Sequence, residues 1–184
     1  MRVLHSLMAL CALAAAGCCG PETITAGKSI QRAEGRLAEL KLQLPTPTKP
    51  SATLRPAVIT GNLIFVSGHI ARAADGKLII GRVGEELTLD QGKDAARQCG
   101  LAILSTLRNE LGSLDRVRRV VKVLGVVNCP PGFKDQPLVV NGCSELFLEV
   151  FGPDAGLGAR SAVGMGSLPS NVAVEVEAVF EISP

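Results

Sequence analysis

Two charged side chains near the C-terminus are of the types needed to hold a small acid and activate water beside it. Arg160 stands at the start of a strand-like run, and Glu175 lies inside the next such run. A guanidinium group presents planar donors that match a carboxylate, and a carboxylate beside a reacting carbon can order water and take its proton. We therefore expect Arg160 and Glu175 to form the polar centre of a small-molecule site. The alternatives are that Arg160 pairs with a surface carboxylate and that Glu175 is an ordinary strand residue.

The run that contains Glu175 shows the clearest two-residue alternation in the chain. Apolar residues occupy every second position from Val172 to Ile182, and Glu175, Glu177 and Glu181 fall between them. Because side chains alternate between the two faces of a strand, this run predicts a strand with one apolar face. Glu177 and Glu181 are interpreted as solvated or interface charges.

Turn and capping residues indicate the elements before these runs. Gly61-Asn62 between two β-rich segments predicts a hairpin, and Thr88 begins a capping box that opens a long helix. A valine-rich strand from Val117 to Val127 and a second helix from Gln136 to Phe151 follow. The order strand pair, helix, strand, helix, strand pair predicts a two-layer α+β domain, with both helices on one face of a mixed sheet. We expect the uncovered sheet face to meet another subunit.

Composition limits the classes of function. The chain has 184 residues, enough for one domain with tails, and its core must be aliphatic because it contains no Trp or Tyr. A formal net charge of +2, spread along the chain, does not favour a nucleic-acid-binding protein. Cys99, Cys129 and Cys143 lie in the domain at spacings that match no metal motif, so no metal site is expected. Cys99 and Cys143 fall on apolar helix faces and are expected to be buried.

The first twenty residues have the pattern of a targeting segment. Arg2 precedes an apolar run from Leu7 to Ala16, and small residues then lead to Cys18. Ala-Ala-Gly-Cys resembles a bacterial lipobox, which implies lipid attachment to Cys18 and a place in the cell envelope. Plain secretion is the first alternative, and a leader without function, with a cytoplasmic protein, is the second. We expect residues 21–50 to form a linker with a short helix, and residues 51–184 to form the domain.

Several short motifs in order carry a family resemblance. The segment Gly61–Ile70, which reads GNLIFVSGHI, is similar to the opening of the Rid/YjgF family, the reactive-intermediate (enamine/imine) deaminases. Val140-Asn141 resembles the family's VN signature. The motif ARS at Arg160, the Leu-Pro pair that follows it, and the segment Val174–Glu177 resemble the closing signature. The resemblance extends from Arg55 to the C-terminus.

The resemblance implies a chorismate-mutase-like fold and a homotrimer with clefts between subunits. It implies that Arg160 binds the substrate carboxylate, that Glu175 positions or activates the attacking water, and that no metal or cofactor is needed. The remaining candidates for substrate contact are Ser67, Gly68, His69, Asn141, Ser161 and Ala162. Asn141 has the alternative of bonding the backbone, Ser67 that of bonding its own loop, and His69 that of a structural role.

The resemblance predicts hydrolysis of 2-imino acids of the 2-aminoacrylate type to 2-oxo acids and ammonia. Three positions depart from the family pattern: Leu54 stands where a tyrosine is usual, Ala162 where a cysteine is frequent, and His69 where a glutamine is usual. Leu54, Ala162 and the targeting segment support a second hypothesis, a non-catalytic trimeric module that binds a carboxylate metabolite at the cell envelope. A nuclease activity attributed to some relatives is not expected, because the residues offer neither the histidine nor the metal-carboxylate chemistry for it.

Overall fold

The computed structural model describes residues 32–47 and 49–183. The leader of residues 1–20, including Cys18, and the first part of the predicted linker lie outside the described residues. The helices and strands are α1 Ala33–Glu39, β1 Ala57–Thr60, β2 Leu63–Ile70, α2 Leu89–Leu111, β3 Val117–Asn128, α3 Gln136–Ala155, β4 Ala159–Met165 and β5 Val174–Ile182. Short 3-10 turns at Leu114–Arg116 and Pro169–Asn171 precede β3 and β5.

The five strands form one mixed sheet in the order β1-β2-β5-β3-β4. All neighbours are antiparallel except β3 and β4, which are parallel and are joined by α3. Helices α2 and α3 pack on the same face: the thiol of Cys99 in α2 donates to the carbonyl of Val174, and a Cβ on Gly125 of β3 would meet Val140 of α3. The predicted two-layer α+β architecture is therefore confirmed.

The prediction that the last two strands form a pair is wrong. β5 lies between β2 and β3, whereas β4 forms the outer edge of the sheet beside β3. A parallel neighbour must follow a crossover connection, and α3 provides it, so β4 is delivered to the far side of β3. β5 thus occupies the middle of the sheet, and its even-numbered residues from Val174 to Ile182 are buried, as the alternation predicted.

Helix α2 follows its sequence signals closely. The Thr88 side chain accepts from the Gln91 amide at 3.2 Å, and the Gln91 side chain accepts from the Thr88 amide at 2.8 Å, which completes the predicted capping box. Gly112 ends the helix with φ 79°, a left-handed conformation that glycine adopts without strain. Helices α2 and α3 approach closely at Gly142, where a Cβ would lie 1.9 Å from the Lys93 carbonyl oxygen.

Helix α3 begins at its predicted residue, Gln136, and continues past its predicted end at Phe151. Asp135 precedes the helix, and its side chain makes no capping hydrogen bond. Gly152 takes φ 79° and ψ 173°, and a further helical turn then continues to Ala155. The core beneath the helix includes Phe147 and Phe180, whose rings meet edge to face with centroids 5.4 Å apart. The buried positions of Cys99 and Cys143 are confirmed, and both thiols are free.

Helix α1 lies in the segment that was expected to be a linker, yet it is bonded into the domain. Leu37 is only 3% exposed, and Glu34 accepts from the amide of Leu114 at 2.9 Å and from the guanidinium of Arg108. Arg36 donates to the Glu149 carbonyl of α3 at 3.1 Å. Helix α1 therefore belongs to the same compact unit as the sheet. Within the described residues, none of the helices is both long and apolar enough for a membrane span.

Candidate functional site

Arg160 lies on the edge strand β4 and is held by helix α3. Its Nη1 donates to Asn141 Oδ1 at 2.7 Å and to Ser144 Oγ at 3.2 Å. Its Nε and Nη2 make no hydrogen bond to any described residue. One side of the guanidinium is thus fixed by α3, and the other side is free to bind a carboxylate in the planar geometry that arginine favours. Asn141 bonds the Arg160 side chain and not the backbone, so it orients Arg160.

Glu175 occupies the middle strand and rests against the backbone of β2. A Cβ built on Gly68 would lie 1.9 Å from Glu175 Oε1, so only a glycine leaves room for this carboxylate position. No hydrogen bond or ion pair joins the carboxylate to another residue of the described part of the chain. Partial burial, reinforced by the negative charge of Glu177, raises the pKa of Glu175 above its ordinary value of 4.5. A carboxylate with a raised pKa is a stronger base than an exposed one.

Arg160 and Glu175 lie on opposite faces of the sheet within one chain. Arg160 is in register with Val123, and Glu175 is in register with Val126, both on β3. Positions three apart on a strand point to opposite faces, and Val123 is buried on the helix-covered face. Arg160 therefore projects beside α3, whereas Glu175 projects from the face that no helix covers. The expected polar centre is not assembled by a single copy of the chain.

The other candidates divide between these two faces. Ala162 shares the Arg160 face, because it is in register with Gly125. Ser67 lines a cleft of ≈ 220 Å³ on the face that no helix covers, and its hydroxyl donates at 2.6 Å to the carbonyl of Arg55, which precedes β1. Leu54, the residue before Arg55, has an exposed side chain.

His69 is buried between the sheet and helix α2. Its side chain is 5% exposed, with Nδ1 2.6 Å from the Ser67 carbonyl oxygen and Nε2 2.7 Å from Thr106 Oγ1 in α2. Because a carbonyl can only accept, Nδ1 carries the proton and Nε2 accepts from the Thr106 hydroxyl in the neutral ring. Burial lowers the pKa of His69, against the effect of the Ser67 carbonyl. This geometry gives His69 the structural role that was its alternative.

Two residues that the sequence did not single out contact the candidates Arg160 and Ser161. Ser144, one helical turn after Asn141, is the second anchor of Arg160, and its i+3 spacing from Asn141 was a usable signal. Lys122 donates to Ser161 Oγ at 2.7 Å on the open face, in the same layer as Glu175. Nothing in the local sequence of β3 distinguishes Lys122 from its neighbouring basic residues, so only the sheet register reveals this contact.

The buried thiols are poor candidates for chemistry. Burial raises the pKa of Cys143 to about 12, with Arg160 acting in the opposite direction, and it raises the pKa of Cys99 well above its ordinary range. Thiolates rather than thiols are the nucleophiles. Across the described residues, no group of three or more His, Cys, Asp or Glu side chains is placed to hold a metal ion.

Comparison with known proteins decides the family. The family model described as "YjgF/chorismate_mutase-like, putative endoribonuclease" matches residues 34–181. The chain belongs to this YjgF family. The resemblance seen in the sequence is thereby confirmed, and the match includes all but the first residue of α1, in agreement with its packing.

Relatives of this YjgF chain span nearly its whole described length. "Protein TCP17" of Trypanosoma cruzi is 40% identical over 152 residues, covering 83% of this chain and 95% of that protein. The crystal structure of Atu1372 from Agrobacterium tumefaciens, described as of unknown function, is 41% identical with a TM-score of 0.74, covering 82% and 94% of the two chains. A "putative endoribonuclease" from Shewanella oneidensis MR-1 is 28% identical with a TM-score of 0.77, covering 82% and 99%.

Proposed function

We propose that this YjgF-family protein hydrolyses small 2-imino acids to 2-oxo acids and ammonia, in a site shared between copies of the chain. The observation that carries the proposal is the Glu175 carboxylate, which is partly buried against Gly68 and has no partner among the described residues. An unpaired, partly buried carboxylate is costly for a fold to keep. Its position is therefore better explained by an incoming ligand and water than by stability.

The second requirement is a group that holds the substrate, and Arg160 has the right chemistry for it. Asn141 and Ser144 occupy one nitrogen of its guanidinium and leave the other donors free. Because Arg160 and Glu175 project from opposite sheet faces, a substrate that needs both must lie between two chains. The open face carries exposed apolar side chains, among them Phe65 at 45% and Val163 at 39% exposure, which supports burial of this face by another copy. The homotrimer implied by the family resemblance is one such assembly.

The chemistry at such a site is a simple hydrolysis. The substrate carboxylate binds the Arg160 guanidinium, and Glu175 orients a water molecule toward the C=N carbon and takes its proton. The C–N bond breaks and the water oxygen becomes the carbonyl oxygen. The nitrogen takes up the two protons of the water and leaves as ammonia. No electron transfer is involved.

A non-catalytic module that binds carboxylates is the second candidate function. Leu54 at the predicted tyrosine position and the withdrawal of His69 into the core favour it, since both leave Arg160 and Glu175 with few additional polar groups. The endoribonuclease activity named in the family description finds less support: His69, the histidine within the described range, is buried and bonded at both ring nitrogens.

Complementation between two inactive variants tests the shared site directly. Imino acids generated by an amino-acid oxidase are hydrolysed by the wild type, and we expect Arg160→Ala and Glu175→Gln each to be inactive. In a ring where every site takes one residue from each of two neighbours, co-assembly in equal amounts leaves about a quarter of the sites intact. Recovery of about that fraction of activity is the expected result.

Two outcomes would contradict the proposal. If Arg160→Ala hydrolyses imines as fast as the wild type, the enzyme assignment fails. If the co-assembled variants stay inactive although hetero-oligomers form, the two residues do not share a site between chains. Binding of a 2-oxo acid in calorimetry, with no turnover by the wild type, would instead support the binding module.

A further inference from the structure

Strand β2 is irregular at the point where it faces the proposed catalytic base. Its register with β5 shifts between Val66 and His69, so Ser67 and Gly68 lie opposite a single residue of β5. Two residues opposite one is the arrangement of a β-bulge. Because a bulge interrupts the regular ladder of backbone hydrogen bonds, other contacts must fix the position of its backbone.

Ser67 in this bulge is held from two sides. Its amide donates to the Pro56 carbonyl at 2.9 Å and its hydroxyl to the Arg55 carbonyl at 2.6 Å, both in the segment before β1. Its own carbonyl accepts from Nδ1 of His69 at 2.6 Å, and Nε2 of the same ring lies 2.7 Å from Oγ1 of Thr106 in α2. His69 and Thr106 are both buried. The ring therefore ties the bulge to the helix layer through two buried hydrogen bonds, which are costly to leave unmade.

The Glu175 carboxylate rests against the backbone that these bonds hold. Because a peptide group is planar, fixing the Ser67 carbonyl also fixes the nitrogen and the Cα of Gly68. The carboxylate lies directly beside that Cα, with Oε1 at 1.9 Å from the place a Cβ would take. Contacts thus run without a gap from Thr106 through His69 and the Ser67–Gly68 peptide to the carboxylate of Glu175.

We propose that His69 and Thr106 are positioning residues for the base: they hold the bulge in place, and the bulge holds the Glu175 carboxylate where it activates water. The inference rests on the proposed function, and it gives neither residue a contact with the substrate. Arg160, which binds the substrate carboxylate in that function, is held instead by Asn141 and Ser144 of α3. The His69–Thr106 pair should therefore affect kcat and leave substrate binding nearly unchanged.

Replacing Thr106 by valine tests the role of the pair, because it removes the hydroxyl and retains the histidine. Nε2 of His69 then lacks its donor, so the ring and the Ser67 carbonyl are less firmly held. A misplacement of about 1 Å at a reacting centre costs about 100-fold in rate, so a smaller shift should lower kcat for imine hydrolysis by about 10-fold. KM should stay within about twofold. Thr106→Ser keeps the hydroxyl and should keep kcat within about twofold of the wild type.

The neighbouring residue in α2 provides a matched control. Ser105 is also buried, and its hydroxyl donates to the Pro45 carbonyl at 2.5 Å rather than to any group of the bulge. Ser105→Ala therefore removes a buried hydrogen bond from the same helix, and it should lower the unfolding midpoint without changing kcat. An unchanged kcat in Thr106→Val, or equal losses of kcat in Thr106→Val and Ser105→Ala, would overturn the positioning role.

The titration of Glu175 gives a second measurement, which does not require turnover. Partial burial holds the pKa of Glu175 above 4.5, so a carboxylate that leaves its position gains water and its pKa falls toward that value. The ionisable groups that interact with it, Glu177 on β5 and the neutral thiol of Cys99 in α2, are both retained in Thr106→Val. Carbon-13 NMR of glutamate-labelled protein, with the signal assigned through Glu175→Gln, measures this pKa. We expect a lower value in Thr106→Val than in the wild type and Ser105→Ala.

This titration distinguishes failure of the inference from failure of the proposed function. If the wild type hydrolyses no imine, the deaminase proposal has failed, and the pKa of Glu175 alone judges the positioning role. A lower pKa in Thr106→Val then supports that role. The same pKa in the wild type and in Thr106→Val refutes it, whether or not imines are hydrolysed.

Discussion

Replacing Gly68 by alanine tests whether the position of the Glu175 carboxylate matters for catalysis. The new Cβ would lie 1.9 Å from Glu175 Oε1 and 2.9 Å from its Cδ. To restore an ordinary contact of about 3.4 Å, the carboxylate oxygen must move by about 1.5 Å. A misplacement of about 1 Å can reduce a rate by about 100-fold, so we expect kcat/KM for imine hydrolysis to fall by about that factor or more.

The same substitution should barely affect stability. Gly68 does not have a positive φ, so alanine adopts its backbone conformation, and the group that must move is the end of a flexible, partly exposed side chain. Gly35→Ala is the matched control, since its Cβ meets no atom within 4 Å and it lies in α1, away from Glu175.

The assay is continuous hydrolysis of an oxidase-generated imine, with the unfolding midpoint of each variant measured in urea. Full activity in Gly68→Ala, at an unchanged unfolding midpoint, would refute the idea that Glu175 acts from its observed position. A large loss of stability would instead show that the contact between β2 and β5 is less adaptable than the geometry indicates.

Two further predictions concern stability. Burial lowers the pKa of His69 below 6.5, so as pH falls through 6.5 the unfolded chain takes up the proton first and the wild type loses stability. His69→Gln should not show this loss. If urea unfolding gives the same change in stability between pH 8 and 5 for the wild type and the variant, the prediction is contradicted. Leu37→Ala should cost about 2–5 kcal/mol in the free energy of unfolding, because Leu37 is 3% exposed in α1. The exposed Leu138 on α3 is the matched control, with an expected change within about 0.5 kcal/mol on substitution by alanine; equal small effects would show that α1 is not part of the cooperative unit.

Local signals in the sequence predicted the helices and strands well, because their causes are local. The capping box at Thr88 depends on a few neighbouring backbone groups. The alternation in β5 and the hairpin at Gly61 are equally local. These features are set by residues that are adjacent in the chain, so their identity is sufficient to predict them.

Features that depend on distant partners could not be predicted in this way. Helix α1 is short and weakly patterned, and its place in the domain depends on Glu34 reaching Arg108 and Leu114, more than seventy residues later. The role of His69, which lies on β2, depends on Thr106, which lies on helix α2. In each case the deciding contact is with a residue that is distant in sequence. The sequence alone is equally compatible with α1 as part of a linker and with His69 as a residue that lines a cleft.

The separation of Arg160 from Glu175 follows from the strand order and register, which the closing motif does not reveal. The motif brings the two residues close in sequence, but each belongs to a different strand, and β3 lies between those strands. Arg160 is registered with Val123 and Glu175 with Val126, so the odd spacing on β3 sends them to opposite faces. Neither charge forms an ion pair among the described residues, so neither adds much to stability. The shared site that we propose gives both a role, because the helix-covered edge of one copy would bring Arg160 to the open face of another, where Glu175 lies.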